Sequence, residues 1–376
     1  MPGILDRYIL KLFVKAVLGT FASLTGLFIV IDAFGHVEEF MSMGEAHGGL
    51  MRALAIYYGP RALWFFDLLG PVTAHLAAIF AITTLIRTNE LTAIMAGGVS
   101  KGRIVKPLIF AAAAVSLLGI FNRECWIPAV RDTLMREAKD WRGQQQKTLR
   151  PTYDYQTDIF IGGQKTVADG KKILMPQFRL PANSEIGSQL AAEAAYYLPA
   201  TADHPAGYVL DRVTTPEDID QRPTLMINGK PAVITLRNHD FLTYGQCFVA
   251  SDVTFEQLAG GSMWRQFAST AELMEHLRNP SLDLGNDARV MLHARMVQPL
   301  VDITLFVIGL PVILRNNRNL FVAAGISLSI TAGFFIVTMF CHALGANYIV
   351  SPALAAWLPL IIFSPAAYVS ALPLWK

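Results

Sequence analysis

The chain has 376 residues, 53% of them hydrophobic and only 16% charged, with a formal net charge of +2. Soluble domains carry roughly 25% charged residues, so this composition excludes a chain solvated by water alone. The near-neutral charge also excludes a nucleic-acid binder, whose basic stripe would stand out.

Spanning the hydrocarbon core of a bilayer takes about 20 apolar residues. Six segments qualify, near 12–34, 62–86, 104–122, 296–314, 320–342 and 353–374. Arg7, Lys11 and Lys15 precede the first, as in the basic start of a signal peptide. Its uncharged run from Ala16 to Ile31 outlasts the ~7–15 apolar residues of such a peptide, and no small-x-small site closes it, so a retained helix is expected.

A short polar interruption, Arg87 to Ser100, separates the second and third spans. Leu91, Ile94 and Met95 fall at i, i+3 and i+4 and give one small apolar face. Arg87 and Glu90 sit one turn apart beside it, able to pair or to meet a partner's charges. Gly97-Gly98 supplies a left-handed stop, and Ser100 is placed to cap the next helix. A bare connection between membrane helices needs none of these features, whereas a docking element needs all of them.

Lys and Arg near helix ends set orientation. Arg7, Lys11 and Lys15, then Arg87, Lys101, Arg103 and Lys106, then Arg315 and Arg318, and finally Lys376 all fall on one side. The other side holds Glu38, Glu39, Glu45 and Arg52, and no charge lies between Cys341 and Pro352. Both termini and the polar interruption are therefore expected in the cytoplasm. The large insertion, 123–290, is expected outside, in the periplasm of a bacterium.

The insertion reads as β structure. Short candidate strands are 158–161, 172–175, 194–198, 207–210, 231–236 and 246–250, punctuated by Asp169-Gly170 and Asn228-Gly229. Regularly spaced short strands suggest an antiparallel sandwich, jelly roll or open barrel. A charged helix from Arg131 to Trp141 is expected to carry the third span outward. Ser269 to Glu272 reads as a capping box for a helix stopped by Asn279-Pro280. The predicted architecture is an integral membrane α-helical protein, six transmembrane helices in a 3+3 layout, with an inserted periplasmic all-β jellyroll-like domain. Its boundaries are 1–122, 123–290 and 291–376.

Catalytic signatures are missing. No G-x-x-x-x-G-K-[ST] loop exists, and Gly162-Gly163-Gln164-Lys165-Thr166 has the wrong spacing. No H-E-x-x-H, zinc-spaced Cys/His cluster or G-x-S-x-G elbow appears. An enzyme is not expected, nor a metal or cofactor. Cys125 and Cys247 would share an oxidising compartment and could pair, but two small buried thiols are the simpler reading.

Ionisable groups in or beside the spans are Asp32, Asp67, His75, Asp302 and His342. Such groups face a cavity or a partner. Asp32 and Asp67 lie near the outer interface, where water can solvate them. Asp302 is deeper, pointing to a polar lumen or to an interhelical hydrogen bond. Prolines 299, 311, 359 and 365 can kink the later spans.

With its surroundings, the polar interruption resembles the lipopolysaccharide-export permease family, the LptF/LptG group. Ile4-Leu5-Asp6-Arg7-Tyr8-Ile9 is similar to that family's start, leaning towards LptG. Arg87 to Gly98 is similar to its coupling helix; Gln298-Pro299-Leu300 and Leu310-Pro311 through Arg315 are similar to its fourth span. The resemblance implies two paired permeases above a dimer of a separate cytoplasmic ABC ATPase. Arg87 and Glu90 would make polar contacts with that ATPase, while Leu91, Ile94 and Met95 fill its groove and Gly98 closes the docking helix. Lipopolysaccharide held between the helices, gated by the first and fifth spans, would pass into the β-domain and on to periplasmic bridge proteins.

Candidates for the wall of the lipid cavity are Asp32, His36, Arg52, Arg61 and Asp302. Members of the family carry lysines near the outer end of the first span, where this chain reads Asp32-Ala33-Phe34-Gly35-His36-Val37-Glu38-Glu39. Carboxylates repel phosphate, so contacts to lipid A are not carried over to these positions. The glycolipid differs, or the partner permease supplies the cations, or Arg52 and Arg61 substitute. The rival readings are a permease for another lipid or a lipoprotein, and a non-transporting membrane scaffold with a periplasmic β-domain.

Overall fold

A computed structural model describes residues 3–375 apart from 137, 141–143, 183, 202–203, 239–241, 261–262 and 316–319. Trp141, Arg318 and Lys376 therefore lie outside the described residues. The chain divides into two compact units. One comprises 1–130, 269–271 and 285–376, the other 131–268 and 272–284.

The first unit is helical. Helix α1 (Ile4–Gly35) is followed by α2 (Val37–His47), α3 (Leu50–Arg87), α4 (Glu90–Ala96) and α5 (Lys101–Phe121). Among the described residues, six helices are long and apolar enough to cross a membrane: α1, α3, the α5 rod continued to Ala129, and three near the C-terminus. The long helices are apolar on most sides rather than along one stripe, the pattern of helices solvated by lipid as well as by protein. Exposed Leu18, Leu27, Val30 and Ile31 on α1 show it directly. The buried side of the first three spans is a small-residue seam. Ala74, Ala77, Ala78 and Ala81 of α3 pack in one cluster with Ile9 and Phe13 of α1 and Ile104 and Leu108 of α5. Small side chains let helix backbones approach closely where lipid gives no hydrophobic drive to associate.

After Phe121 the third span widens into a π-helical turn, Asn122–Trp126, and continues through α6 (Ile127–Ala129). Three consecutive residues of that turn are anchored. Asn122 Nδ2 donates to the Leu63 carbonyl at 2.8 Å, Arg123 pairs with Asp67 at 2.8 Å, and Glu124 accepts from the Thr270 amide at 2.9 Å. The expected helix from Arg131 to Trp141 is shorter: α7 (Arg131–Leu134) ends early and a 3-10 turn covers Ala138–Asp140.

The second unit holds eleven strands, all paired antiparallel. They are β1 (Lys147–Thr148), β2 (Thr152–Asp154), β3 (Ile159–Gly162), β4 (Lys165–Val167), β5 (Lys172–Leu174) and β6 (Gln177–Arg179). Then come β7 (Gln189–Leu198), β8 (Gly207–Thr215), β9 (Leu225–Ile227), β10 (Lys230–Thr235) and β11 (Cys247–Ala250). The long β7 organises the sheet. Its first half pairs with β6 and its second half with β5, while β8 runs along the opposite side of both. The sheet therefore forks at β7 into a β5-β4-β1 arm and a β6-β3-β2 arm. Ile173 of one arm and Ile161 and Phe178 of the other share a core with Tyr208 and Leu210 of β8.

All six expected strands form, and five very short ones were not legible. Asn228-Gly229 makes the β9–β10 hairpin, with both residues at positive φ, as a two-residue turn requires. Helices α8 (Phe255–Gly260), α9 (Met263–Phe267) and α10 (Thr270–Arg278) follow. The last three spans are α11 (Gly285–Arg315), α12 (Leu320–Ala346) and α13 (Pro352–Trp375). Helix α11 runs on through Pro299 and Pro311.

Candidate functional site

Helix α4 is seven residues long and bounded by sharp breaks. Asn89 before it has φ +60° and Gly98 after it φ +82°. Of the two glycines, Gly98 takes the left-handed conformation, while Gly97 has φ −75°. Ser100 occupies the N-cap position of α5 with extended backbone, but its side chain makes no capping bond, contrary to the sequence expectation.

The charged pair also divides differently. Arg87 is exposed, and among the ion pairs of the described residues there is none between it and Glu90. The Glu90 carboxylate instead accepts a hydrogen bond from the phenol of Tyr8, Oη to Oε2 at 2.6 Å. Leu91 is turned inward. Only 2% exposed, it joins the cluster containing Ile9, Phe13, Leu85 and Ile104. It is therefore not presented to a partner in this conformation, because the core offers it a larger apolar environment than the surface does. Ile94 and Met95 are half-buried. Beside them lies an open groove of about 490 Å³, lined by Ile4, Leu5 and Tyr8 of α1 and by Glu90, Ala93 and Ile94.

The α1 start is fixed from a second direction. Asp6 accepts from the Gly3 amide at 2.9 Å and pairs with Arg103 of α5 at 3.3 Å. Glu90 within the interruption and Arg103 just after it thus hold the start of α1. Tyr8 is the site residue that sequence reasoning missed. Its only signal was its place in the Leu-Asp-Arg-Tyr start.

The cavity-wall candidates separate into groups. Asp32 accepts from Tyr58 Oη at 2.7 Å and lies 3.6 Å from the His36 ring, whose Nδ1 also reaches the Asp32 carbonyl at 3.0 Å. Arg61 stacks over the Tyr57 ring, 3.4 Å from its centroid, and donates to the Tyr57 carbonyl. Tyr57 and Tyr58 are themselves in contact, so Asp32, His36 and Arg61 ring one aromatic pair completed by Phe40. Arg52 is exposed. Asp302 belongs elsewhere: it accepts from Ser116 Oγ at 2.8 Å and from Gln298 Nε2 at 2.7 Å. The void beside it measures about 20 Å³, enough for roughly one water. The bond from Ser116 of α5 to Asp302 is an interhelical hydrogen bond, one of the two readings offered for this residue.

The three cysteines are free. Cys247 is buried on β11, and burial pushes its thiol up to about 12, so it stays protonated and inert at neutral pH. Among the described residues, no group of His, Cys, Asp and Glu is arranged to hold a metal ion.

Comparison with known proteins fits these features. A search of curated proteins finds no match. The family model described as lipopolysaccharide export system permease LptF/LptG matches residues 7–198 and 208–372, nearly the whole chain. A chain with six membrane-length helices and an antiparallel sheet between its third and fourth spans, matched over that extent, belongs to the LptF/LptG family of lipopolysaccharide export permeases.

Proposed function

We propose that this chain is the transmembrane permease subunit of an ATP-driven exporter that takes lipopolysaccharide from the inner membrane and delivers it to a periplasmic bridge. The observation that carries the reading is the segment Arg87–Gly98: a short helix set off by two left-handed residues, with exposed Arg87 and an apolar groove at its side. A connection of this build is suited to receive force from a partner. The chain contains no phosphate loop, so the partner supplies ATP hydrolysis. In this reading a dimer of ABC ATPase subunits docks on Arg87, Glu90, Ile94 and Met95, and a second related permease completes the lipid cavity.

The Lys and Arg bias supports a cytoplasmic position for both termini and for α4, and a periplasmic one for the β-domain of about 123–290. Asp32, His36 and Arg61 would then stand at the outer end of the cavity with Arg52 beside them. Asp32 is engaged by Tyr58, and Arg61 carries the cation that would meet a phosphate. The test is purification of the intact complex in detergent and mass spectrometry of its bound lipid. Lipopolysaccharide is the expected species. Recovery of only phospholipid or lipoprotein would overturn the assignment of cargo.

A further inference from the structure

Helix α4 is too short to hold its own orientation. Seven residues are well below the length at which a helix is stable alone. Its backbone is also broken at both ends, at Asn89 and at Gly98. A displacement of α4 is therefore poorly transmitted along the chain into α3 or α5, and side chains must carry it.

Side chains on two faces do so. Leu91 fixes one face of α4 in the core shared by the first three spans. On the neighbouring face, the phenol of Tyr8 holds the Glu90 carboxylate at 2.6 Å. This bond joins α4 to α1 across 82 positions of sequence. The phenol engages one carboxylate oxygen, Oε2, at an exposed position. Ile4, Leu5 and Tyr8 also furnish half the lining of the groove beside α4, with Ile4 92% exposed.

We infer that Tyr8 is a positioning residue of the docking helix: its phenol aims the Glu90 carboxylate and ties α4 to α1, so that movement imposed on α4 is delivered to the first membrane helix. The inference rests on the docking role proposed for α4. It adds that the first turn of α1 is part of the same mechanical element.

The test uses the full complex of this chain with its ATPase and companion permease, reconstituted in lipopolysaccharide-containing vesicles. Tyr8→Phe keeps the ring and its packing but removes the donor. The expected result is unchanged recovery of the ATPase subunit and a fall of about threefold or more in lipopolysaccharide released per ATP hydrolysed, the scale of one lost hydrogen bond. Spin labels on α1 and α4 should also lose their correlated distance change on nucleotide binding. Glu90→Gln combined with Tyr8→Phe should be less than additive, because the two residues act as one unit. A wild-type release ratio and label response in Tyr8→Phe would overturn the role of Tyr8 while leaving docking intact. Failure of the wild-type chain to retain any ATPase subunit would overturn the docking reading, and this inference with it.

Discussion

A Cβ on Gly309 of α11 would lie 2.0 Å from the His75 imidazole of α3, so the ring occupies the place where a side chain would be. His75 is 1% exposed, and its Nε2 lies 2.9 Å from Ser327 Oγ of α12. Ser327 Oγ also reaches the Gly309 carbonyl at 3.3 Å, while the ring's Nδ1 has no hydrogen-bond partner among the described residues. One imidazole thereby joins three helices of the first unit. Gly309→Ala should destabilise the protein by about 1–3 kcal/mol through overpacking. Thermal unfolding in detergent measures this, and His75→Ala in the same chain should recover part of the loss. A neutral Gly309→Ala would show that the ring moves aside freely.

Asp302 gives a contrasting case, a carboxylate held rather than squeezed. Asp302→Leu leaves Ser116 and Gln298 without their acceptor and should cost about 1–3 kcal/mol. Asp302→Asn keeps one acceptor and should cost less. Unfolding midpoints of the two variants, measured together, distinguish a tether from a residue needed for its charge.

The second unit carries a pH dependence. Burial lowers the affinity of His276 for a proton below the ordinary histidine range, despite nearby Glu275 and Glu272. Gln257 Nε2 donates to its Nδ1 at 3.0 Å, a bond that protonation removes. The unfolded chain binds this proton more readily than the folded one. Stability is therefore full above the unfolded pKa of about 6.5, and declines as pH falls from there towards the lowered folded value. Trp264, whose ring centre is 4.8 Å from the imidazole, offers a fluorescence probe. His276→Phe should flatten the decline of unfolding temperature between about pH 6.5 and pH 5. An unchanged slope would assign the dependence to another group.

The spans and most strands were legible because they rest on local signals. Apolar runs of sufficient length mark α1, α3, α5 and α11 to α13, and turn pairs such as Asn228-Gly229 mark hairpins. Strands β1, β2, β4, β6 and β9 are two or three residues long, too short for alternation to register. They form because β7 and its neighbours offer them a ladder. The short helix between Arg87 and Ser100 was legible in outline, but its side-chain geometry was not. Helical spacing placed Leu91 on the same face as Ile94 and Met95, yet it cannot reveal that α1 and α5 cover Leu91 and leave the others partly open. The Tyr8–Glu90 bond spans 82 residues of sequence, and no periodicity reports a contact at that range. Asp302 left two readings open for the same reason, since Ser116 comes from a distant helix.

Glu90→Arg bears most directly on whether this chain is driven by a separate ATPase through α4. It replaces a carboxylate with a cation at the proposed docking surface and disrupts the Tyr8 bond, with Leu91 and the core untouched. The variant and the wild-type chain are purified side by side from membranes, and the co-purifying nucleotide-binding subunit is quantified. The wild type should retain that subunit, and Glu90→Arg should lose it while the membrane domain keeps its unfolding temperature, a penalty of about 2–5 kcal/mol in association. Equal recovery of the ATPase with both chains, or its absence from both, would contradict the account.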